Sequence, residues 1–351
     1  MVFSSDSKIF KNESILSFDY LPEILPHREN QIKFLASNLS LVGEGRKSQN
    51  IFIFGASGIG KTASVKYVFR KFSEEFPNVK TVYLNCWDYN TSAAVLSEIT
   101  ISLGAVVQRR GWAKDEIISR LKEVLNRNKK SLIVCLDEAD QLIRKDQETL
   151  YDLSRINQYV QNPVAIILIS NDKSSLAKLE PRTYSTLAAE DIEFKPYTLG
   201  EMKDIMQERV DYAFGSVENG VVALAANHAM QKGGDVRIGL QCLLKAGRIA
   251  EKENTNKLKV EHVKKILRDV NEIKPSIVES KLNENEKVLY EILSTKKIWQ
   301  SGDLYRKYAE SSPDAVSQRM FENYLDHLEE LNMIKFGEKT VNGNIRLVSK
   351  V

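Results

Sequence analysis

The sequence predicts an α/β domain with a parallel β-sheet, then an all-helical domain, then a winged helix-turn-helix domain. Continuous apolar runs alternate with helical patterns in the N-terminal half, strand-like runs stop after Tyr197, and the C-terminal region combines three helical patterns with two short strand-like segments. The predicted domains are residues 1–197, 198–275 and 276–351. A chain of 351 residues suits two or three domains, because a domain commonly has about 100–200 residues.

The composition excludes several classes of protein. The 50 Lys and Arg residues and 47 Asp and Glu residues leave a net charge of only +3, so any nucleic-acid surface must come from local patches. No apolar run has the length of a membrane span, and the N-terminal residues lack the pattern of a signal peptide. The 3 cysteines and 4 histidines are scattered. We therefore expect a reduced, cytoplasmic protein without membrane contact, disulfides or zinc.

Four apolar runs in the first domain predict strands that are buried on both faces of a sheet. These runs are Asn50–Phe54, Lys80–Leu84, Ser131–Leu136 and Val164–Ser170. The helical patterns between them include Thr62–Phe72, Thr91–Leu103 and Asp115–Leu125. Strands that alternate with helices in this order predict a parallel sheet with helices on both sides.

The C-terminal half has helical periodicity followed by a turn signal. The helical patterns of the second domain are Leu199–Ala213, Val217–Lys232, Asp235–Glu251 and Val260–Val270. Those of the third domain are Glu284–Ser294, Ser301–Glu310 and Asp314–Leu331. Two strand-like segments within Met333–Lys350 flank Asn342-Gly343, a dipeptide typical of a hairpin turn. Three helices followed by a hairpin predict a winged helix-turn-helix.

A glycine-rich segment follows the first predicted strand and begins a helix, as in a P-loop. Its glycines let backbone N–H groups face phosphate oxygens, and the helix N-terminus adds partial positive charge. In such a loop the lysine contacts the β- and γ-phosphates, and the following hydroxyl binds Mg²⁺. We therefore predict ATP or ADP with Mg²⁺. The predicted phosphate-binding residues are Gly55, Gly58, Ile59, Gly60, Lys61, Thr62 and Ala63.

Two carboxylates, Asp137 and Glu138, end the third predicted strand. A carboxylate at a buried strand end is costly unless it is paired or lies beside a metal ion. We assign Asp137 to Mg²⁺, together with Thr62, and Glu138 to the water that attacks the phosphate. A solvated pair that caps a helix is the alternative. Asp137-Glu-Ala-Asp140 also spells a helicase signature, but residues 200–351 lack the second motor domain of those helicases, so we interpret that match as coincidental.

Three further residues are candidates for contact with the γ-phosphate. Asn171 follows the fourth strand, and Arg182 and Arg237 lie near predicted domain edges. An arginine that reaches a transferring phosphoryl group accelerates known NTPases by factors on the order of 10³–10⁵. In isolation, such an asparagine is more often a loop cap, and such arginines are more often solvated. Two features favour function for the arginines, since each lies near a domain edge and Gly233–Arg237 begins a helix that can face the nucleotide.

Together these elements resemble AAA+ ATPases and, more narrowly, the archaeal replication initiators related to the origin recognition complex and its helicase-loading partner. The narrower resemblance depends on segments outside the P-loop, and these follow one another in the same order along the chain. The segments are Leu25–Gln31, Tyr83–Thr91, Leu179–Ser185, Pro196–Arg209 and Gly234–Arg237.

The resemblance implies roles for residues around the nucleotide. Asn171 would be the first sensor of the γ-phosphate and Arg237 the second, both within their own subunit. Arg182 would act on the nucleotide of a neighbouring subunit. The residues that would lie beside the adenine or line the pocket are Pro26, His27, Arg28, Tyr197 and Arg209.

A basic region lies between the second and third predicted strands. In the family that the sequence resembles, this region holds a helical insertion that touches DNA. Arg109 and Arg110 place two guanidinium groups near Trp112, an arrangement suited to phosphate contact or entry into the minor groove. The alternative is a solvated loop with Trp112 packed inward.

The predicted winged domain has 11 Lys and Arg residues and 11 Asp and Glu residues between Ser280 and Val351, so it carries no net charge. A helix-turn-helix uses the start of its recognition helix against base edges, with flanking cations on phosphates. The residues predicted at the bases are Ser317, Gln318 and Arg319, and those predicted at the backbone are Lys335, Lys339 and Arg346. About four to six phosphate contacts predict a salt slope of about −4 to −5. A winged domain that binds protein is the alternative.

We therefore predict an ATP-binding replication initiator that recognises duplex origin DNA, acts with other initiator subunits and helps recruit or load the replicative helicase. Slow hydrolysis of ATP would release the switch, and the protein would be associated with the nucleoid. Three alternatives stay open at this point. They are a regulatory or signal-transducing ATPase whose winged domain binds protein, a nucleotide-locked architectural DNA-binding protein, and a clamp-loader subunit.

Overall fold

The computed structural model describes residues 9–107, 111–268, 282–296, 298–311, 316–330, 334–337 and 346–350. Internal contacts divide the chain into two units, Met1–Lys264 and Lys265–Val351. The first unit contains both the predicted α/β domain and most of the predicted all-helical domain. The predicted boundary at residues 275 and 276 lies outside the described residues, and both predicted boundaries stay predictions.

The first unit is built on a parallel sheet with the strand order β2-β3-β4-β1-β5. Every residue of β3 and β4 is buried, because helices cover both faces of the sheet. The four predicted strands are present, and the predicted α/β fold is confirmed. β5 was not predicted, since it is a short polar strand at the sheet edge. The strands are β1 Ile51–Phe54, β2 Val79–Asn85, β3 Ser131–Asp137, β4 Val164–Ser170 and β5 Glu190–Glu193.

Among the described residues of the first unit, seven α-helices surround this sheet. α2 begins immediately after Gly60, whose φ of +92° is readily adopted only by glycine, so the P-loop turn leads directly into the helix. α7 begins with Pro181, a residue favoured at the first helical position. The helices are α1 Glu29–Gly43, α2 Lys61–Glu75, α3 Ser92–Ser102, α4 Lys114–Asn128, α5 Asp140–Lys145, α6 Glu148–Arg155 and α7 Pro181–Leu187.

The remainder of the first unit is helical, as predicted. A segment near the N-terminus packs against these helices, where the rings of Phe10 and Phe214 lie 4.9 Å apart. Gly247 permits this contact, because a Cβ there would lie 2.3 Å from the Phe10 ring. The helices are α8 Leu199–Ala213, α9 Val221–Gln231, α10 Val236–Lys252 and α11, which covers residues 260–268 of the described chain and of which residues 260–264 belong to this unit.

After α11, the described residues of the second unit form three helices and a small antiparallel sheet with the strand order β6-β8-β7, the pattern of a winged helix-turn-helix. Tyr308 and Phe321 are fully buried in its core. Strand β6 was not predicted, because two residues give no periodicity. The predicted turn at Asn342-Gly343 lies outside the described residues. The elements are α12 Glu284–Leu293, β6 Trp299–Gln300, α13 Ser301–Ser311, α14 Gln318–Glu330, β7 Ile334–Gly337 and β8 Leu347–Lys350.

Candidate nucleotide-binding site

The predicted P-loop joins β1 to α2 and borders a cavity of about 370 Å³. At Gly58 (φ +71°) a Cβ would lie 1.9 Å from a carboxylate oxygen of Asp235, so glycine is required both for the backbone conformation and for the close approach. Ile59 is buried, and it and Gly55 do not line the cavity. The predicted residues that do line it are Gly58, Gly60, Lys61, Thr62, Ala63, Asp137, Glu138, Asn171, Tyr197, Arg209 and Arg237.

Lys61 is held at the floor of the P-loop. Its Nζ donates to the backbone oxygens of Gly55 and Ala56, each at 2.7 Å, and to Asn171 Oδ1 at 2.8 Å. Burial lowers the pKa of Lys61, and the negative charges of Asp137 and Glu138 oppose that shift. The ammonium group is therefore stabilised by the same kind of oxygen ligands that a triphosphate would offer.

Asp137 is 4% exposed, and its carboxylate is the centre of a polar cluster. Thr62 Oγ1 donates to Asp137 Oδ2 at 2.6 Å, and the hydroxyl of Tyr83 donates to the same oxygen at 2.7 Å. Burial and the charge of Asp137 raise the pKa of Tyr83, so the phenol stays protonated as a donor. The sequence did not identify Tyr83 as a site residue.

The two predicted Mg²⁺ ligands, Thr62 and Asp137, are thus in direct contact. A carboxylate and a hydroxyl are the hard oxygen ligands that Mg²⁺ prefers. Within the described part of the chain, no group of three or more His, Cys, Asp or Glu residues could hold a metal ion alone. This donor set fits an ion that is bound mainly through phosphates and water, with few protein ligands.

The side chain of Asn171 joins Lys61 to Glu138. Its Oδ1 accepts from Lys61, and its Nδ2 donates to Glu138 Oε2 at 2.8 Å. Glu138 has a φ of +53°, an uncommon conformation for a residue other than glycine. One amide therefore contacts both the phosphate-binding lysine and the carboxylate predicted to act on water.

The start of α10 brings the helical part of the first unit against the P-loop. Arg237 donates to Ser57 Oγ at 2.7 Å and forms an ion pair with Asp235 at 2.6 Å. Burial raises the pKa of Asp235, but the hydrogen bonds and charge of Arg237 outweigh burial, so this pKa lies below its ordinary value. The Val236 N–H also donates to the Gly58 oxygen at 3.2 Å. Arg237 is thus placed at the cavity by contacts from both sides.

Arg28 lies behind the P-loop and does not line the cavity. It is 4% exposed and donates to the oxygen of Ile59 at 3.0 and 2.8 Å and to the oxygen of Lys195 at 2.9 Å. Its guanidinium lies 3.8 Å from the Tyr197 ring centroid, and burial lowers its pKa. These contacts assign Arg28 to positioning the P-loop and Tyr197, which differs from the predicted place beside the adenine.

The other residues of that predicted segment also lie outside the cavity lining. His27 contacts α8 through Asp204, whose carboxylate lies 3.0 Å from its Nε2. Pro26 is not among the lining residues. A segment that the sequence analysis missed, residues 17–25, supplies this wall of the cavity instead, including Phe18 and Tyr20. Arg209 lies 4.7 Å over the Tyr20 ring and donates to the oxygen of Ile15, so this wall is fixed to the helical part.

Arg182 is exposed at the start of α7 and does not line the cavity. It forms an ion pair with Glu180 at 2.8 Å, and its guanidinium lies 5.3 Å from the Tyr151 ring centroid. An exposed arginine outside the cavity of its own chain accords with the predicted action on a neighbour, which stays a prediction.

The predicted DNA contacts are distributed over both units. Arg109, Arg110 and Lys339 lie outside the described residues. Trp112, which follows the first two in the sequence, packs against the core of the first unit, as the alternative reading of that loop proposed. The predicted residues that are exposed in the second unit are Ser317, Gln318, Arg319 and Lys335.

Arg346 is paired within the second unit. Its guanidinium donates to Glu322 at 3.0 Å and to Asp326 at 2.8 Å, and it lies 3.4 Å from the Phe336 ring centroid. Both carboxylates belong to α14, the predicted recognition helix. Arg346 therefore neutralises acidic charge on that helix, whether or not it also contacts DNA.

Comparison with known proteins agrees with this fold and site. Residues 45–175 match the model of the AAA domain, and residues 203–266 match the model of the Cdc6 AAA+ ATPase-type lid domain. The ORC1-type DNA replication protein 1 of Archaeoglobus fulgidus is 40% identical over 273 residues, which are 76% of this chain and 67% of that protein. The ORC1-type DNA replication protein of Pyrococcus abyssi is 35% identical over 369 residues, covering 98% of this chain and 85% of that protein.

Solved structures agree as well. The Aeropyrum pernix ORC1 protein, determined in complex with DNA, is similar with a TM-score of 0.76 and 30% identity, covering 99% of this chain and 94% of that one. The Aeropyrum pernix ORC2 protein, determined as ADPNP-ADP complexes, shares the fold with a TM-score of 0.69 and 22% identity, covering 97% and 94% of the two chains.

The sheet order, the P-loop with its two carboxylates and the helical lid define an ATPase of the AAA+ class. The fold continues into a winged-helix unit, as in the Aeropyrum ORC1 protein. The chain belongs to the family of ORC1-type DNA replication proteins. The resemblance inferred from the sequence is therefore confirmed.

Proposed function

We propose that this protein is an ATP-dependent switch that binds duplex origin DNA and helps recruit or load the replicative helicase. The observation that carries the proposal is the junction of Lys61, Asn171 and Glu138 in one cavity that Arg237 of the lid also lines. A γ-phosphate at this junction would contact groups of both the α/β part and the lid. Its presence or loss could therefore be transmitted to the lid.

The residues present fit ATP with Mg²⁺. Thr62 and Asp137 would hold the ion, which supplies charge neutralisation on the phosphates when bound. Lys61 would contact the β- and γ-phosphates, and Glu138 would accept a proton from the attacking water. Glu138 accepts a hydrogen bond from Asn171 at Oε2, and the second oxygen of a carboxylate can accept from the water. We propose that hydrolysis is slow and acts as a switch.

The DNA-binding part of the proposal is supported by the related Aeropyrum ORC1 protein, whose structure contains DNA. In this chain the exposed start of α14 would contact base edges, and Lys335 would contact the backbone. Arg346 would contribute by neutralising α14 and through phosphate contact. Arg109, Arg110 and Lys339 would add further phosphate contacts. Arg182, being exposed, would complete the ATP site of an adjacent initiator subunit.

The proposed place of action is chromosomal DNA in the cytoplasm. None of the described helices combines the length and the apolar character needed to cross a bilayer.

The regulatory alternative, with a winged unit that binds protein, draws support from one observation. Two acidic side chains of α14, Glu322 and Asp326, accept hydrogen bonds from the Arg346 guanidinium, which leaves it less available to DNA phosphates.

A footprint of the full chain on candidate origins of its own chromosome, with ATP, ADP or no nucleotide, tests the proposal. We expect specific protection that depends on nucleotide. Glu138→Gln should keep the footprint with ATP while phosphate release falls by a factor on the order of 10²–10⁴, the usual contribution of a general base. Absence of duplex binding at low ionic strength would exclude an initiator and favour the regulatory alternative. Protection without phosphate release by the unsubstituted protein would favour a nucleotide-locked architectural protein.

A further inference from the structure

We propose that Asp140 is a positioning residue for ATP hydrolysis, which holds Asn171 against Lys61 and Glu138. This inference rests on the proposed ATPase function and adds to it a residue that the phosphate chemistry does not use. Asp140 is the last residue of the Asp137–Asp140 pattern. The match of this pattern to a helicase signature was interpreted as coincidental, so Asp140 itself was assigned no role.

The carboxylate of Asp140 collects three donors from the loop that carries Asn171. Ser170 Oγ donates to Asp140 Oδ1 at 2.6 Å, and Ser175 Oγ donates to the same oxygen. The N–H of Asn171 points to the other oxygen, Oδ2, at 3.4 Å. The two serines are 1% and 2% exposed, so their hydroxyls depend on protein partners. Asp140 therefore fixes this loop on both sides of Asn171.

The same residue is tied to the turn that carries Glu138. Asp140 begins α5 two positions after Glu138. The next residue, Gln141, donates its N–H to the backbone oxygen of Glu138 at 3.0 Å. The Ala139 N–H donates to the Ile169 oxygen at 2.9 Å, so the turn is also joined to the end of β4. Asp140 thus connects the segment that carries Asn171 with the segment that carries Glu138, whose side chains contact each other.

The consequence for catalysis is geometric. The Asn171 amide contacts Lys61 at 2.8 Å and Glu138 at 2.8 Å, so a small shift of its backbone disturbs both contacts. Misplacement of a catalytic group by about 1 Å can cost about a hundredfold in rate. Nucleotide affinity depends mainly on the P-loop backbone and Lys61. Asp140 acts on Lys61 only through its charge, which is the last of the four charges that affect the pKa of Lys61. Loss of Asp140 is therefore expected to lower kcat and to leave KM nearly unchanged.

The test is ATP turnover by the full chain carrying Asp140→Asn. The amide cannot accept at both former oxygen positions, so either the serine hydroxyls or the Asn171 N–H loses its acceptor. We expect kcat to fall by about ten- to a hundredfold, with KM for ATP within about twofold. In an Asn171→Ala background the same change should lower kcat by less than about twofold, because residues that act as a unit are not additive.

Asp146→Asn is the matched control. Asp146 follows the other end of α5 and accepts from the Ser92 hydroxyl at 2.5 Å, the same chemistry away from Asn171. We expect its kcat to equal that of the unsubstituted chain. If Asp140→Asn fails to fold, as judged by its thermal transition, Ser175→Ala removes one of the contacts and should lower kcat in the same direction.

Equal loss of kcat in the two backgrounds, or the same loss with Asp146→Asn, would overturn the role of Asp140 while leaving the ATPase intact. Absence of turnover by the unsubstituted protein would count against the proposed hydrolysis itself. In that case hydrogen exchange of the loop that Asp140 holds, residues 170–175, decides about Asp140. Asp140→Asn should increase amide exchange in this loop about tenfold, whereas Asp146→Asn should leave it unchanged, and equal exchange in the two variants would reject the inference.

Discussion

The nucleotide site and the winged-helix unit use charge in opposite ways. Lys61, Asp137 and Arg28 are no more than 6% exposed, and each has several specific partners. The predicted DNA-contacting residues Arg319 and Lys335 are exposed. A buried charge is tolerated only with its partners in place, whereas an exposed charge is tolerated in many arrangements. The charged side chains of the nucleotide site are therefore held in place by contacts within the protein. Those of the predicted DNA-binding surface are exposed, and only a bound duplex would hold them in one arrangement.

Burial alone does not mark function, however, as the winged-helix unit shows. Glu286 is 3% exposed, accepts from the N–H of Asn283 at 2.9 Å and lies 2.7 Å from Nδ1 of His327. These contacts cap α12 and join it to α14, and none involves a predicted DNA contact. The comparison therefore depends on what the partners are. In the nucleotide site we expect phosphate oxygens to replace some of the partners of the buried charges. In the second unit the partners of Glu286 only stabilise the packing of α12 and α14.

The sharpest way to break this comparison is Lys61→Ala. If the buried lysine is the main electrostatic contact to the triphosphate, its removal should cost about 3 kcal/mol, or more than a hundredfold in ATP affinity. Equilibrium binding of a fluorescent ATP analogue checks it. Intact affinity would show that the site does not bind through this P-loop.

Arg28→Lys is expected to have the next largest effect. Lysine keeps the charge but cannot supply donors to both Ile59 and Lys195 or stack equally on Tyr197. An unsatisfied buried oxygen costs about 1–3 kcal/mol, so we expect a lower thermal midpoint and about a tenfold loss of ATP affinity. Thermal melting with and without nucleotide measures both effects. Affinity that falls without any change in the melting midpoint would indicate direct contact with nucleotide, as the sequence had predicted.

The difference between the two regions also explains how much the sequence could predict. The P-loop, Asp137, Glu138 and Asn171 adjoin apolar strands, so their place at the carboxyl edge of a parallel sheet follows from local patterns. Tyr83 was missed because its contact with Asp137 depends on the register of β2 against β3. The register of two strands separated by a long connection is not encoded locally.

The wall formed by residues 17–25 was missed for a related reason. This segment has no helical or strand periodicity, and its place follows from packing of the N-terminal residues on α8 and α10. Arg28 was assigned to the adenine by resemblance, but its donors point to the backbone oxygens of Ile59 and Lys195, behind the P-loop. The structure therefore places predicted residues at the cavity where their chemistry lies next to a regular element, and away from it where a long-range contact decides.

The smallest expected effects concern the winged-helix unit, where Arg319→Ala and Arg346→Ala sharpen the comparison as a pair. Arg319 is exposed at the start of α14, and a guanidinium that reads a base contributes about 1–3 kcal/mol of discrimination. Its loss should relax sequence preference more than it weakens binding to non-specific duplex. Arg346→Ala should weaken binding to all sequences alike, because it leaves Glu322 and Asp326 without their cation near phosphate. Titrations of specific and random duplexes at several salt concentrations distinguish the two. A uniform loss from Arg319→Ala would mean that this residue contacts only phosphate, and that the exposed surface carries no sequence information at that position.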